Sequence, residues 1–418
     1  MERKVAAQGT RLSSFREAKE SLAETLEVHL TVKQIERVTE RIGAAAVVRR
    51  DSLVVAWEAL PLVQKEKAPE GVTSPEIAVV AADGGRLQLT ERHTETGTHW
   101  RENKAAVLME MTSPRHEKDP CPAIPENFLD SAWADRLTRE IGKRAAVEPR
   151  RNNVSEPPRE ESVVDQIRIR TGLIQPDDNP DYPRPATDAP RREPPKMVRK
   201  RVVSTLEDIR SFSPQVATTA WSLGFFASQR KAYVGDGQNW VWSLFEERFK
   251  PFGFVGILDF IHALTYVYAA ATAGRDESAG VLVYYRWITW IWEGRVEEVI
   301  VELTNRQAEV GLPLEADGET HPRRIIEKSL TYLSNQRSRM NYPEYRKQGL
   351  PISSAYIESV VKQLNQRVKG SEKFWSRKGG EALLQLKSAQ ISGQAPWDVI
   401  LHEHQDSADG QRPQKHAA

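Results

Sequence analysis

The sequence contains very little cysteine and carries almost no net charge. Its single cysteine, Cys121, cannot form an internal disulfide framework or build a cysteine-ligated zinc site. Lysine and arginine together number 59 against 58 aspartates and glutamates, so the formal net charge is +1. Any basic surface that binds nucleic acid must therefore be local.

Other signatures are missing as well. The chain has no uncharged apolar run of the length, about 18 residues, that a membrane span requires, and residues 1–9 lack the apolar core of a signal peptide. It has neither the Gly-x-Ser-x-Gly elbow of an α/β hydrolase nor a phosphate-binding loop. We therefore expect a cytoplasmic protein that has no membrane partner and uses no nucleotide cofactor.

Three acidic residues stand in distinct local settings. Asp83 ends the apolar run 77–82, Asp236 ends a second run over 231–235, and Glu358 lies near the start of a helix-like segment. Two aspartates at strand ends and a glutamate on a later helix can converge on divalent cations, which prefer carboxylate oxygens. The pattern predicts a site for phosphodiester chemistry in which Asp83, Asp236 and Glu358 hold two Mg²⁺ or Mn²⁺ ions.

Asp259 and His262 provide a fourth signal. They lie three residues apart at a predicted junction between a strand and a helix. Asp259 could cap that helix, and His262 could lie on the same face near the metal site. The alternative is a capping aspartate beside a packed histidine that has no part in the chemistry.

Residues 1–70 are predicted to form a helical region. The segment 13–26 is amphipathic, and Thr31 is expected to cap a second helix that Gly43 can end. The two helices could be a DNA-binding helix-turn-helix, and an ordinary helical pair with a solvated charged face is the alternative. The basic residues of the second helix are Lys33, Arg37 and Arg41.

Residues 71–144 are predicted to contain three strands, at 77–82, 86–91 and 105–111. The pair Gly84-Gly85 favours a hairpin turn between the first two. Three successive antiparallel strands, the first with an acidic residue near its end, would form the first part of an RNase H-like sheet. The expected fold is thus α/β, with a mixed sheet and flanking helices.

The rest of the chain divides by composition into five predicted segments. Residues 145–199 are rich in proline and arginine, which is typical of an exposed insert or linker, although their cations could follow a phosphate backbone. Residues 200–275 alternate between strand and helix patterns, which predicts parallel pairing in the second part of the core. A helical insertion follows at 276–349, then a core helix with Glu358 at 350–391, and a flexible tail at 392–418.

Several cationic and aromatic residues are candidates for DNA binding. Cations can contact the phosphate backbone, and exposed tryptophans can stack on unpaired bases. The alternatives are plain surface charge for the cations and core packing for the tryptophans. The candidates are Lys104, Lys362, Arg367, Lys369, Trp287 and Trp290.

Seven segments, taken in order, carry a resemblance to a known family. They are Val80–Arg86, Trp100–Lys104, Tyr233–Trp240, Ile257–Ala263, Arg346–Glu358, Arg367–Gly370 and Trp375-Ser376. Over about residues 75–390 the chain resembles the DDE transposases of bacterial insertion sequences, in particular the ISKra-type lineage related to Mutator-like transposases. Members of that lineage often carry a cysteine-rich N-terminal segment, from which this sequence departs.

The resemblance implies an RNase H-like core with a helical insertion between the second aspartate and the glutamate. It implies that Asp83, Asp236 and Glu358 are the catalytic, metal-binding triad, and that Asp259 and His262 match an Asp/Cys-x-x-His pattern after the second aspartate. It also implies an enzyme that binds the DNA ends of a mobile element, cuts them and joins the 3′-hydroxyl to target DNA. Such enzymes usually work as dimers or larger assemblies and would be associated with the nucleoid.

Two other functions fit the same residues. A metal-dependent nuclease on the same core would cut DNA without joining it to a second molecule. A DNA-binding protein derived from a transposase would bind DNA without cutting it. Transfer of a cut end distinguishes the transposase from the nuclease, and Mg²⁺-dependent cleavage distinguishes the enzymes from the binding protein.

Overall fold

The computed structural model describes residues 1–141 and 194–400. The chain opens with a group of helices, and local capping explains where they begin. The side chain of Ser14 accepts a hydrogen bond from the N–H of Glu17, and Thr31 forms a reciprocal capping box with Gln34. The predicted cap at Thr31 is therefore confirmed. These helices are α1 (Glu2–Arg11), α2 (Phe15–Leu26), α3 (Val32–Glu58) and α4 (Leu62–Lys65).

A mixed six-stranded sheet forms the centre of the molecule, so the fold is α/β as expected. The strand order is β3-β2-β1-β4-β5, and β6 pairs with the end of β1. β2 is antiparallel to both β1 and β3, whereas β4 and β6 are parallel to β1 and β5 is parallel to β4. The strands are β1 (Ile77–Leu89), β2 (Trp100–Thr112), β3 (Lys196–Thr205), β4 (Arg230–Gly235), β5 (Val255–Leu258) and β6 (Phe374–Trp375).

The hairpin predicted at Gly84-Gly85 is wrong, because β1 continues through both glycines. They lie opposite Asn103 and Lys104 of β2, and a Cβ on Gly84 or Gly85 would lie 2.6 Å from a side-chain oxygen of Glu102 or Asn103. Glycine here makes room for cross-strand side chains and does not turn the chain. Asp83 therefore lies within a strand and not at its end.

The third antiparallel strand also differs from the prediction. It is β3, which begins at Lys196 and so takes in residues that were assigned to the Pro/Arg-rich insert of 145–199. Its pairing with β2 explains the difference, since a basic segment can form a strand when a neighbour supplies the hydrogen bonds. The rest of that predicted insert, up to residue 193, and the tail beyond residue 400 lie outside the described residues.

Helices cover the sheet and bury its central strand, whose residues 77–82 are at most 1% exposed. The helix that carries Glu358 packs against β1 and β2, and the last helix packs against α3 and β3. Within the described ranges, no helix combines the length and apolarity that crossing a bilayer demands. These helices are α5 (Ser131–Glu140), α6 (Ile209–Ser222), α7 (Asn239–Leu244), α8 (Phe260–Thr272), α9 (Glu277–Trp292), α10 (Val296–Val310), α11 (Pro322–Gln336), α12 (Tyr342–Lys347), α13 (Ala355–Val368) and α14 (Arg377–Ser392).

Gly43 does not end α3, contrary to the prediction, because it lies where α3 meets α14. A Cβ at this position would lie 2.4 Å from the backbone oxygen of Ala382. We therefore expect Gly43→Ala to lower the free energy of unfolding by about 1–3 kcal/mol, since backbone cannot easily move aside. Urea denaturation would measure this, with Gly318→Ala as a control because a Cβ there meets nothing within 4 Å. An equal loss in both variants would contradict the close contact.

Candidate metal centre at the ends of the central strands

Three aspartates lie side by side at the edge formed where β4 and β5 end, with Asp236 and Asp259 after those strands and Asp83 level with Asp236 inside the longer β1. β1 and β4 pair in parallel up to two residues before Asp83 and Asp236, so the two aspartates are level with each other. Asp259 directly follows β5, and its N–H donates a hydrogen bond of 2.9 Å to the carbonyl oxygen of Gly235. Because neighbouring strands are about 4.8 Å apart, aspartates that are level on adjacent strands lie close together.

Helix α13 reaches this edge from a neighbouring layer. The N–H of Phe260 donates to the carbonyl oxygen of Ile352 at 2.9 Å, which ties the segment before α13 to the start of α8. The hydroxyl of Ser354 then donates to Asp259 Oδ2 at 2.5 Å. Glu358 follows one turn later in the first turn of α13. Two hydrogen bonds thus fix the helix start that presents Glu358.

Asp259 caps α8, as predicted, and holds His262. Its Oδ1 accepts a hydrogen bond of 2.9 Å from the N–H of Ile261, and its Oδ2 lies 2.8 Å from Nδ1 of His262. The Asp259 side chain is fully buried, whereas that of His262 is 15% exposed. A completely buried carboxylate with these partners orients the imidazole.

One compact group of potential ligands occurs within the described residues. Asp259, His262 and Glu358 each offer a ligand atom, and these atoms all lie within 4.8 Å of one another. This group differs from the predicted ligand set, since it contains the two supporting residues in place of Asp83 and Asp236. The spacing of these residues along the sequence did not indicate this grouping, because Glu358 reaches Asp259 and His262 from a separate helix, α13.

The carboxylates influence one another strongly. Burial, followed by the charge of Asp236, raises the pKa of Asp83 to about 6. Burial also raises the pKa of Glu358 to about 7, against the attraction of His262 and with the repulsion of the three aspartates. Burial is the largest cause of both shifts, and repulsion between the carboxylates adds to it.

His262 responds in the opposite direction. Burial alone would lower its pKa, but the hydrogen bond to Asp259 and the charges of Asp259, Asp236 and Glu358 outweigh this effect and raise the pKa to about 9. The imidazole is therefore protonated at neutral pH and contributes one positive charge to the cluster.

The carboxylate oxygens are unequally satisfied. Asp236 accepts hydrogen bonds from the backbone N–H (3.0 Å) and the side-chain amide (2.7 Å) of Gln238, and Asp83 Oδ1 accepts one from the N–H of Gly84 (2.6 Å). In contrast, Oε1 of Glu358 is buried without a partner in the described part of the chain. A buried oxygen without a partner is costly, and a bound cation would satisfy it.

Tyr332 of α11 supports the backbone at Asp236 and was not identified from the sequence. Its hydroxyl donates to the Asp236 carbonyl oxygen at 2.7 Å, and its ring stacks on Tyr266 with centroids 3.6 Å apart. The ring also fills the space beside Gly237, where φ is +101° and a Cβ would lie 2.4 Å away. No local pattern distinguishes Tyr332, because its role depends on a contact between segments 96 residues apart.

Two of the predicted DNA-binding residues are buried. Arg367 is 2% exposed, and its guanidinium donates to the carbonyl oxygen of Gly9 at 2.9 Å and lies 4.5 Å from the ring centroid of Phe15. Trp287 is fully buried, and its indole N–H donates to Glu302 at 2.5 Å. Neither side chain is at the surface, so the prediction that they contact DNA is corrected.

The other predicted DNA contacts remain at the surface to differing degrees. Lys104 is mostly covered and lies 2.7 Å from a carboxylate oxygen of Glu102. Lys362 and Lys369 are exposed, and Trp290 is partly exposed with the guanidinium groups of two arginines 5.4 Å and 5.1 Å from its ring centroid. On α3 the three predicted basic residues, Lys33, Arg37 and Arg41, are all exposed. A helix-turn-helix function for α2 and α3 stays a prediction.

The edge thus brings together three aspartates, Glu358 and a protonated histidine, on elements fixed by hydrogen bonds to one another. Comparison of the chain with models of protein families and with curated proteins yields no match.

Proposed function

We propose that this chain is a DDE transposase, an enzyme that cuts and joins DNA strands with the help of divalent cations. The observation that carries the proposal is the alignment of Asp83, Asp236 and Asp259 at adjacent strands, with Glu358 brought against them from α13. The strand order β3-β2-β1-β4-β5, antiparallel on one side of β1 and parallel on the other, supports an RNase H-like core.

The residues present fit a divalent cation. Carboxylate oxygens suit Mg²⁺ and Mn²⁺, and Glu358 Oε1 lacks a partner among the described residues. Burial, together with repulsion between the carboxylates, raises the pKa values of Asp83 and Glu358. Asp83, Asp236 and Glu358 would hold the ions, with Asp259 and His262 beside them. Two bound ions would supply the positive charge that activates an attacking hydroxyl or water and stabilises the leaving oxygen.

The chain's own residues position the site. Asp259 holds His262, orients the start of α8 and anchors Ser354 at the start of α13, so one buried carboxylate links two of the elements that form the site. Tyr332 fixes the backbone of Asp236 from α11. Such preorganisation matters because small displacements of catalytic groups cost large factors in rate.

The test is DNA cleavage and joining by the purified chain with Mg²⁺ or Mn²⁺. Incubation with supercoiled plasmid is expected to produce nicks with 3′-hydroxyl ends, and a labelled 3′-hydroxyl oligonucleotide is expected to join the plasmid. EDTA should abolish both products. Nicking without joining would favour a nuclease, and DNA binding without nicking under either metal would overturn the proposal of an enzyme.

Tyr332→Phe is expected to slow cleavage roughly tenfold and leave the fold intact. The ring and its stack on Tyr266 remain, but the Asp236 carbonyl oxygen loses its hydrogen bond, and leaving such a group unpaired costs about 1–3 kcal/mol. The cleavage rate and the Mg²⁺ concentration for half-maximal rate would be measured. Tyr345→Phe is the matched control, since the hydrogen bond that its hydroxyl donates among the described residues is long, 3.4 Å to the carbonyl oxygen of Gly256. Equal effects of both substitutions would argue against a positioning role for Tyr332.

A further inference from the structure

A second charged feature lies at the opposite end of the parallel strands. An open cavity of about 560 Å³ is located where β4 and β5 begin, whereas the carboxylates follow their ends. Four cationic side chains and two carboxylates line it, together with His116. The charged residues are Arg115, Arg230, Lys231, Lys347, Glu117 and Glu344.

Two of the cations are already satisfied by the protein. Arg230 is 7% exposed, forms an ion pair with Glu76 and donates to the carbonyl oxygens of Ser113 (2.7 Å) and Gln348 (2.8 Å). Lys347 lies 3.0 Å from a carboxylate oxygen of Glu344. These groups form a rigid wall and contribute little net charge.

The other two cations have no ion pair with a carboxylate of the described residues. Arg115 is exposed, and its side chain makes no hydrogen bond or ion pair with a residue in the described ranges. Lys231 donates to the carbonyl oxygen of Phe226 at 3.0 Å and has no ion pair within the same ranges. Burial lowers the pKa of Lys231, and the charge of Glu66 offsets this only in part. The cavity therefore offers a ligand two cations without ion pairs among the described residues, against the one remaining carboxylate of Glu117.

The loop that carries Arg115 is held in place. The N–H of His116 donates to the carbonyl oxygen of Lys347 at 2.8 Å, so this loop is fastened to the end of α12. A guanidinium on a backbone held in this way, an ammonium and an imidazole around an open cavity match a phosphate group, which accepts hydrogen bonds from Arg and Lys in many directions. The cavity is accessible enough for a phosphate that belongs to a polymer.

This cavity cannot receive the phosphate that reacts at the carboxylates. Arg230 and Asp236 are six residues apart along an extended strand, a separation of roughly 20 Å at about 3.3 Å per residue. We propose that the cavity binds a backbone phosphate of DNA away from the reacting bond, with Arg115 and Lys231 as its ligands. The proposal rests on the proposed function for its choice of DNA over free phosphate.

The test uses the double variant Arg115→Gln/Lys231→Gln of the full chain. Binding of a labelled duplex of random sequence would be measured by fluorescence anisotropy over a series of salt concentrations. The double variant is expected to bind the duplex roughly tenfold more weakly at low salt. The slope of its log affinity against log salt concentration is expected to be smaller by the amount that about one phosphate contact contributes. The control is Arg139→Gln/Lys328→Gln, which removes the same charge from exposed ion pairs elsewhere. Equal weakening in the two double variants would overturn the site.

A second measurement separates the sources of phosphate. Inorganic phosphate is titrated into both proteins and the melting temperature is followed. Stabilisation of the wild type alone, together with unchanged DNA binding by the cavity variant, would overturn DNA as the ligand. The variant Asp83→Asn tests the proposed function independently: it should lose cleavage and keep the DNA affinity that the cavity supplies. Cleavage that survives Asp83→Asn would overturn the proposed function and leave the cavity site standing, whereas DNA affinity that survives Arg115→Gln/Lys231→Gln would overturn the cavity site alone.

Discussion

Glu358→Gln is expected to reduce metal-dependent DNA cleavage on the order of a thousandfold and, at the same time, to stabilise the cation-free protein. The loss of rate follows because the amide of Gln binds a divalent cation poorly and cannot replace a carboxylate ligand. The gain in stability follows from the electrostatics of the site. Burial raises the pKa of Glu358 to about 7, so at pH 8 its charge opposes those of the three aspartates.

Two assays on the same preparations would check this prediction. Plasmid nicking measures the loss of rate, and melting in EDTA at pH 8 measures the change in stability. Glu297→Gln is the matched control, because this glutamate is exposed on α10 and should change neither quantity. A Glu358→Gln protein that cleaves DNA normally would remove Glu358 from the catalytic set. A Glu358→Gln protein that melts at a lower temperature than the wild type would show that repulsion between Glu358 and the aspartates does not dominate the stability of the site.

The free energy of unfolding of the cation-free protein is expected to fall by a few kcal/mol as pH rises from about 5 to about 9. Asp83 and Glu358 have folded-state pKa values of about 6 and about 7, above their ordinary values, so the folded state holds protons that the unfolded chain has lost. Their contribution to stability falls through that interval. His262, with a pKa of about 9, contributes stability that is complete below its ordinary pKa and is lost as pH rises through 9. All three effects have the same sign.

Divalent cations should oppose this loss. Mg²⁺ or Mn²⁺ binds the ionised carboxylates, so the stabilisation by either ion is expected to grow between pH 6 and pH 8. Urea denaturation in EDTA and in Mg²⁺ across this pH range would measure both curves. The double variant Asp83→Asn/Glu358→Gln serves as the control and should show a shallower profile with little response to Mg²⁺. Parallel curves for the wild type with and without Mg²⁺ would contradict a cation site at these carboxylates.

The features that local sequence determines could be predicted. Thr31 and Asp259 cap their helices because a capping side chain bonds to a neighbouring N–H, and the sequence alone contains both partners. The apolar runs before Asp236 and Asp259 form β4 and β5 for a similar reason, since short buried strands are uniformly apolar. Alternation of these strands with helices also indicated parallel pairing.

The features that distant contacts determine could not be predicted. Gly43 and Gly84 were interpreted as stop or turn signals, but each one makes room for a side chain or backbone from another part of the chain. Arginine and tryptophan are residue types that often contact nucleic acid at a surface, but Arg367 and Trp287 are buried by residues from other parts of the chain. The membership of His262 in the compact ligand group likewise depends on the approach of α13. A single sequence does not encode these neighbours in any local pattern.

The buried hydrogen bond between Arg367 and Gly9 has a consequence for how the chain folds during synthesis. The two residues are separated by 358 positions, and β6 and α14 likewise join structures made hundreds of residues earlier, at β1 and α3. The first helices therefore emerge from the ribosome long before these C-terminal partners exist. Contacts of such long range slow folding, and the exposed faces of α1 and α3 must wait for the final segment of the chain. Ribosomes that stall before residue 367 would hold a protein in which α1 can pack against α3 but α3 still lacks its partner α14.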